Sequence, residues 1–504
     1  MAATTLCKCL IGGAWTEGRT DRFGEVWNPS TGEVIARVPM CGGEDVNAAV
    51  RGALAAFPAW RDMPPPDRAR ILFRFHDLLQ RHADELARLV TREHGKTLQE
   101  SQASVQRGIE VVEFACGLPA LLAGETIRNI APEIDCETVR HPLGVVAGIT
   151  PFNFPAMVPL WMYPIALVCG NCFVLKPSER VPLSSIRIAE LLLESGLPEG
   201  VFSIVHGDKT CVDALLTHPD IKAVSFVGST PVARHVYQTG SAHGKRVQAA
   251  GGAKNHVVIM PDAELAPTVK GMLNSAFGCA GERCMAGSLA VPVGDIADEL
   301  VARLCEEAGR MRVGRTDVPD ARVDMGPLIT RKHLERVRGY IDTAEREGAK
   351  IVLDGRKQVV ADAPGGFFIG PTLIDQVQPD MTVAREEIFG PVLPIVRVKT
   401  LEEAMALGER CPYGNGAVIF TASGRSARIF KHGFNAGMIG INIGVPAPLA
   451  WFPFSGWNDS FYGDLHIQAR DGMAFYTRQR VTMTRWFEPA QVDTHDPVWR
   501  PGRS

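Results

Sequence analysis

The feature that most limits the fold is a regular exchange of two textures that begins near residue 140. Short strand-like runs, "PLGVVAGIT", "CFVLKPS", "VFSIVHG" and "IKAVSFVGS", are separated by the helical stretches "PLSSIRIAELLLESGLP" and "TPVARHVYQTGS". Strands spaced by helices do not close as hairpins. Each helix returns the chain to the starting edge, so the strands lie parallel in right-handed βαβ units. The same texture resumes after about residue 253 with "HVVIMP", "AKIVLDG" and the helix "HLERVRGYIDTAEREG", which ends at a glycine. Upstream, residues 43–122 read as helical, and "RARILFRFHDLLQRHADELARLVTREHG" repeats its apolar residues with a 3.6-residue period.

A chain of 504 residues exceeds what one core supports, so two or three domains are expected. A net charge of −3 provides no field that would recruit nucleic acid or a membrane surface. The twelve cysteines are scattered and read as reduced thiols. "CGNC" at 169–172 lies in an apolar run, where core thiols are expected over zinc ligands. The start, "MAATTLCKCLIGGAW", lacks the pattern of a secretory or organelle leader, and "WMYPIALVCG" is too short to span a bilayer and is broken by Pro164. A cytoplasmic protein is the expectation. Near the end, "DGMAFYTRQRVTMTRWF" alternates like a strand left over after a complete domain, suited to joining another subunit's sheet, and the polar "EPAQVDTHDPVWRPGRS" is expected along the surface.

Several stretches carry chemistry-bearing residues, each with a plain alternative. "GCAGERCMAG" at 278–287 surrounds Cys284 with small residues, so a ligand could approach the thiol, yet buried cysteines are commonly inert. "TPFNFPAMVP" holds Asn153 in a proline-stiffened loop after a strand, where its amide can donate to an oxyanion or cap the next helix. Lys176 and Glu179 in "VLKPSER" can reach a ribose at a strand end or be solvated loop charges. "VSFVGSTPVA" sets Gly228 and Ser229 before a helix whose amides suit a pyrophosphate, without a GxGxxG fingerprint. "REEIFGPV" carries Glu387 and Phe389 before Gly-Pro.

In that succession, with the glycine-rich "AAGGAKN", these motifs resemble the aldehyde dehydrogenase superfamily from about residue 10 to about 488. The resemblance implies an α/β subunit of three parts. A Rossmann-like NAD domain would take residues 1–122 and 142–252, and an α/β catalytic domain 253–448. A small antiparallel oligomerisation flap would take 123–141 and 465–490, with a tail at 491–504. It also implies roles. Cys284 would be the nucleophile, and the Asn153 side chain and the Cys284 amide would hold the oxyanion. Lys176 and Glu179 would lie at the adenosine ribose, Gly228 and Ser229 at the pyrophosphate, and Glu387, Phe389 and Phe152 at the nicotinamide side, with Arg180 a further cofactor contact.

One departure bears on the reaction. Hydrolytic members begin this motif with a glutamate that activates water, and here Ala250 stands in its place. The chain is similar to the CoA-acylating methylmalonate (or malonate) semialdehyde dehydrogenases, which lack that base and share "RCMA", "AKNHVVIMPDA" and "RGIEVVEFACG". It departs from them at Glu282, usually glutamine, at Ala250, usually asparagine, and in "GVPAPLAWFPFSGW". That likeness implies NAD as cofactor, CoA as co-substrate, and a homotetramer built as a dimer of dimers. A carboxylate-bearing semialdehyde would be clamped by Arg283 and Arg107, because guanidinium binds carboxylate through paired hydrogen bonds; the plain alternatives are a thiolate-stabilising charge for Arg283 and an ordinary helix-surface arginine for Arg107. The alternatives are a hydrolytic aldehyde dehydrogenase that releases a free acid, and a catalytically silent member kept as a binding or structural subunit.

Overall fold

The computed structural model describes residues 5–319 and 322–487; the expected tail at 491–504 lies outside them. The βαβ reading holds. Strands Arg246–Ala250, Ile221–Val227, Val145–Ile149, Cys172–Lys176 and Phe202–Ile204 lie side by side and parallel. Every residue of Val145–Ile149 and Cys172–Lys176 is buried, as expected of strands covered on both faces. The edges are closed by antiparallel additions, Cys9–Ile11 and Ala14–Thr16 on one side and Phe461–Tyr462 on the other.

A second, four-stranded parallel sheet runs in the order Gly287–Pro292, Asn255–Ile259, Gly416–Phe420 and Met438–Ile441. Two large apolar cores follow the two sheets. One draws on residues 9–250 together with Met285, Met438 and a set between 450 and 476, and the other on residues 257–436. A third sheet, Thr126–Ala131, Ile134–Pro142 and Thr477–Arg485, is antiparallel and leaves Ile127, Val139, Val481 and Met483 exposed.

The helical stretch at 43–122 contains Gly43–Asp62, Pro65–Arg81, Ala83–His94, Leu98–Cys116 and Leu118–Leu121. The apolar run "WMYPIALVCG" lies largely in the helix Met157–Val168, which is buried on every side and contains Pro164. Among the described residues no helix is long and apolar enough to cross a membrane. One local reading needs correction. The strand-like alternation begins only at Thr477, because Ala469–Phe475 is helical. Its buried residues, Ala469, Gly472, Met473 and Phe475, follow a helical spacing, and Gly472 packs against Ile165.

Candidate active site

The parallel sheet gathers the expected residues at one edge. Strands ending at Ile149, Lys176, Val227 and Ala250 run in the same direction, so the loops that follow share the carboxyl side, where ligands of open α/β sheets bind. Phe152 and Asn153 follow the first strand, Glu179 and Arg180 the second, and Gly228 and Ser229 the third.

The cysteine loop reaches this edge from the second core. The helix Leu265–Phe277 gives way to a turn with Cys279 (φ 50°), Ala280 (φ 51°) and Gly281 (φ 73°) all left-handed. Two of these are not glycine, so the loop holds real backbone strain. Its glycines serve protein packing. A Cβ on Gly281 would lie 2.2 Å from the Gly390 carbonyl, and one on Gly278 would lie 2.5 Å from the Arg283 guanidinium. The Cys284 carbonyl accepts from the amides of Asn255 (2.8 Å) and Asn415 (2.9 Å), which ties the nucleophile candidate to the starts of two neighbouring strands of the second sheet. Neither asparagine stood out in the sequence, where nothing marked the two as neighbours.

Asn153 does not cap the following helix, whose N-cap is Ala156 without a side-chain bond. Its Nδ2 instead donates to the Glu282 carbonyl at 3.1 Å, two residues before Cys284. The loop is held from below by the buried Lys96, whose Nζ donates to the Asn153 carbonyl at 2.6 Å and lies 3.9 Å over the Phe154 ring. Phe152 meets the Phe389 ring edge to face at 5.8 Å, and the Arg180 guanidinium lies 5.3 Å from its centre. The Lys176 ammonium binds Glu179 at 2.8 Å. Burial pushes the Glu179 carboxyl up, but the charge and hydrogen bond of Lys176 outweigh this and hold it below its ordinary value.

Glu387 accepts the Ala253 N–H at 2.9 Å, and Gly252 beside it must lack a side chain because a Cβ would lie 2.4 Å from its Oε2. Burial raises this carboxyl to about 7 against the opposing Ala253 hydrogen bond. Gly228 is likewise constrained, since a Cβ there would lie 2.5 Å from the Phe226 ring. Ser229 is exposed at the N-cap of the helix Thr230–Ala242 and makes no capping bond. The methyl group of Ala250 is buried at the end of its strand.

The two arginines are separately engaged. Arg283 is bound by Glu100 (3.3 Å), by the Cys279 sulfur (3.2 Å) and by the Asn274 carbonyl (3.1 Å). Arg107 pairs with Glu110 at 3.1 Å. Arg283 nonetheless reaches the helix that carries Arg107. Glu100 and Arg107 stand two turns apart on the helix Leu98–Cys116, which packs against the helix following the Asn153 loop. Glu100 was invisible to motif reading, although it takes the Cys279 N–H at 2.6 Å as well as Arg283.

This assembly of a thiol, a loop amide and strand-end loops has a known counterpart. Residues 15–482 match the aldehyde dehydrogenase family. The chain belongs to that family. It is 53% identical over 479 residues to malonate-semialdehyde dehydrogenase 2 of Geobacillus kaustophilus, covering 95% of this chain and 98% of that one. It is 52% identical to a malonate-semialdehyde dehydrogenase of Pseudomonas aeruginosa, over 92% of this chain and 93% of that one. The fold superposes on the crystal structure of methylmalonate-semialdehyde dehydrogenase from Oceanimonas doudoroffii with a TM-score of 0.95, at 51% identity and over 97% and 99% of the two chains. A Sinorhizobium meliloti protein assigned as a methylmalonate-semialdehyde dehydrogenase, crystallised with NAD, also gives 0.95 at 45% identity, over 97% and 99%.

As an aldehyde dehydrogenase, the chain has a resting thiol that is far from ionised. Burial raises Cys284 to about 12, and the Glu387 charge adds to this, while its own and the Met285 backbone N–H groups and Arg283 oppose it. In this state the Cys284 thiol is therefore protonated near neutral pH.

Proposed function

We propose that this chain catalyses the NAD-dependent, CoA-acylating oxidation of malonate or methylmalonate semialdehyde to acetyl-CoA or propionyl-CoA, with loss of CO2, through a thioester on Cys284. The observation that carries this reading is Ala250, a buried methyl group at the strand end where hydrolytic relatives have their base. The relatives named malonate-semialdehyde dehydrogenase support the substrate class.

The residues present suit a dinucleotide. Gly228 and the exposed Ser229 open a 13-residue helix toward the carboxyl edge, a setting made for a pyrophosphate. The Lys176–Glu179 pair stands at the next strand end but one, suited to the adenosine ribose, while the Arg180 guanidinium turns back to Phe152 on the nicotinamide side. Glu387, buried with one backbone donor, would gain ribose hydroxyls as further donors, and Phe389 and Phe152, packed on each other, would lie on the same nicotinamide side. Bound there, NAD would accept the hydride released at the carbon carried by Cys284.

The chain's own residues do the remainder. The Cys284 thiol gives its proton to solvent as its sulfur adds to the aldehyde carbon, and the Asn153 amide with the Cys284 N–H receives the oxyanion. Arg283 and Arg107 hold the substrate carboxylate. Loss of CO2 from the resulting β-carboxy thioester leaves an enolate for the same donors, and a proton from solvent on its carbon gives the acyl thioester. CoA thiolate then attacks the thioester, forming acyl-CoA and returning the Cys284 thiolate. We place the enzyme in the cytoplasm as a homotetramer, a dimer of dimers. All twelve cysteines are free thiols, which supports a reducing compartment.

The test is a transient assay of NADH formation from malonate semialdehyde. Without CoA, acylation outruns hydrolysis and a burst of about one NADH per site is expected. With CoA, turnover is sustained and an acyl-CoA accumulates. Equally fast steady-state NADH without CoA, with free acid as product, would establish the hydrolytic alternative.

A further inference from the structure

Behind the Phe152–Asn153 loop lies a closed cluster of ionisable side chains to which the mechanism above assigns no role. Glu282 is fully buried. Its Oε1 accepts the Ile329 N–H at 3.2 Å, while its Oε2 has no hydrogen-bond partner among the described residues. His94 is equally enclosed, and neither of its ring nitrogens has a partner there; Nε2 lies 4.0 Å from Glu282 Oε2. His333 lies 3.6 Å from Oε1, but its Nε2–H is already given to the Phe389 carbonyl at 2.7 Å. The charged groups acting on Glu282 from the surrounding segments are Lys96 and Arg180.

The cluster adjoins the catalytic parts directly. The His94 ring stacks on Phe152 at 6.1 Å, and His333 meets both Phe152 and Phe389 at 6.4 Å. The Glu282 carbonyl accepts the Asn153 amide, and Lys96, the stronger of the two cations acting on Glu282, holds the Asn153 carbonyl. Both ends of Asn153 therefore depend on groups tied to Glu282.

We propose that Glu282 is a positioning residue that works as a neutral carboxylic acid, and that loss of its proton withdraws Lys96 and the Glu282 carbonyl from Asn153 and so impairs the oxyanion donor. A carboxylate here would have one N–H donor and an otherwise unanswered charge. Neither histidine can take up the proton. Burial, with Lys96 nearby, keeps His94 well below its ordinary value, and burial lowers His333 to about 4. Ionised Glu282 would therefore turn to Lys96. Burial raises Glu282 to about 8, against the Ile329 N–H, Lys96 and Arg180, so the change falls within an accessible pH range.

The role concerns the oxidation step common to the family, so it is tested with propanal and saturating NAD, independently of CoA and of the acidic substrate. The Glu282→Gln variant carries the neutral isostere of the acid. Its NADH burst rate relative to wild type should be near one at pH 6.5 and about tenfold higher at pH 9. Glu282→Asp, which keeps an acid, should follow the wild-type profile. A rate ratio that does not change with pH would overturn the proposal, and so would an E282Q protein that fails to fold at pH 6.5.

Melting temperature gives a readout free of activity. A carboxyl raised by folding favours the native state fully below its unfolded value of 4.5, and that contribution is lost as pH rises through about 8. The advantage of E282Q over wild type should therefore grow across that window, and a constant difference would show that Glu282 is not proton-bound in the folded enzyme.

Discussion

At the scale of single residues, Arg283 is the most informative side chain. It is largely buried beside the thiol and answers three acceptors, so its charge is both desolvated and fixed in direction. Removing one partner of a buried charge pair costs about 2–5 kcal/mol. Arg283→Leu should therefore lower kcat/KM for malonate semialdehyde by roughly 30- to several-thousand-fold, and for propanal by much less. Equal losses on both substrates would place Arg283 in lowering the Cys284 pKa, a direction in which its charge also acts. The sequence made Arg283 visible through its place beside Cys284. It could not reveal Glu100, which lies about 180 positions earlier and touches the loop only because the helix Leu98–Cys116 is docked there.

At the scale of elements, that helix begins with a reciprocal cap. Thr97 Oγ1 accepts the Glu100 N–H at 3.3 Å, and Glu100 Oε2 accepts the Thr97 N–H at 2.9 Å. The other oxygen of Glu100 holds the cysteine loop, so helix start and active-site loop share one carboxylate. Thr97→Ala removes the cap at a cost of about 1 kcal/mol, and amide exchange in the first turn should quicken about fivefold. Unchanged exchange would mean that the docked loop alone holds the helix start. Element type was legible wherever period and length agreed, as in Arg331–Arg346. It failed at Ala469–Phe475, where seven residues are too few for a period to be read and tertiary packing decides the conformation.

At the scale of the whole molecule, the antiparallel sheet is under-packed for an isolated chain. Val481 and Met483 are 63% and 64% exposed, and Trp486 and Phe487 beyond them are 61% and 60% exposed. In the proposed homotetramer these exposed apolar side chains, on an otherwise polar strand, would be covered by a second copy of the chain. Sedimentation should show an oligomer, and the double change Val481→Lys and Met483→Lys should shift it toward smaller species. An unchanged sedimentation coefficient would place the subunit contact elsewhere.

By itself, the sequence determined the βαβ order, the parallel sheets and the strand-end positions of the candidate site residues. These follow from local periodicity and turn chemistry, which are written in consecutive residues. It also presented Ala250, because a missing functional group is a matter of identity and not of geometry. Only the tertiary structure decided which partners those residues take. Asn153 is bound to the Glu282 carbonyl and not to a helix end, the loop glycines make room for Arg283 and for the Gly390 carbonyl, and a glutamic acid lies sealed between two histidines. Such pairings join segments up to nearly two hundred residues apart, and their energies depend on burial, which no local stretch of sequence encodes.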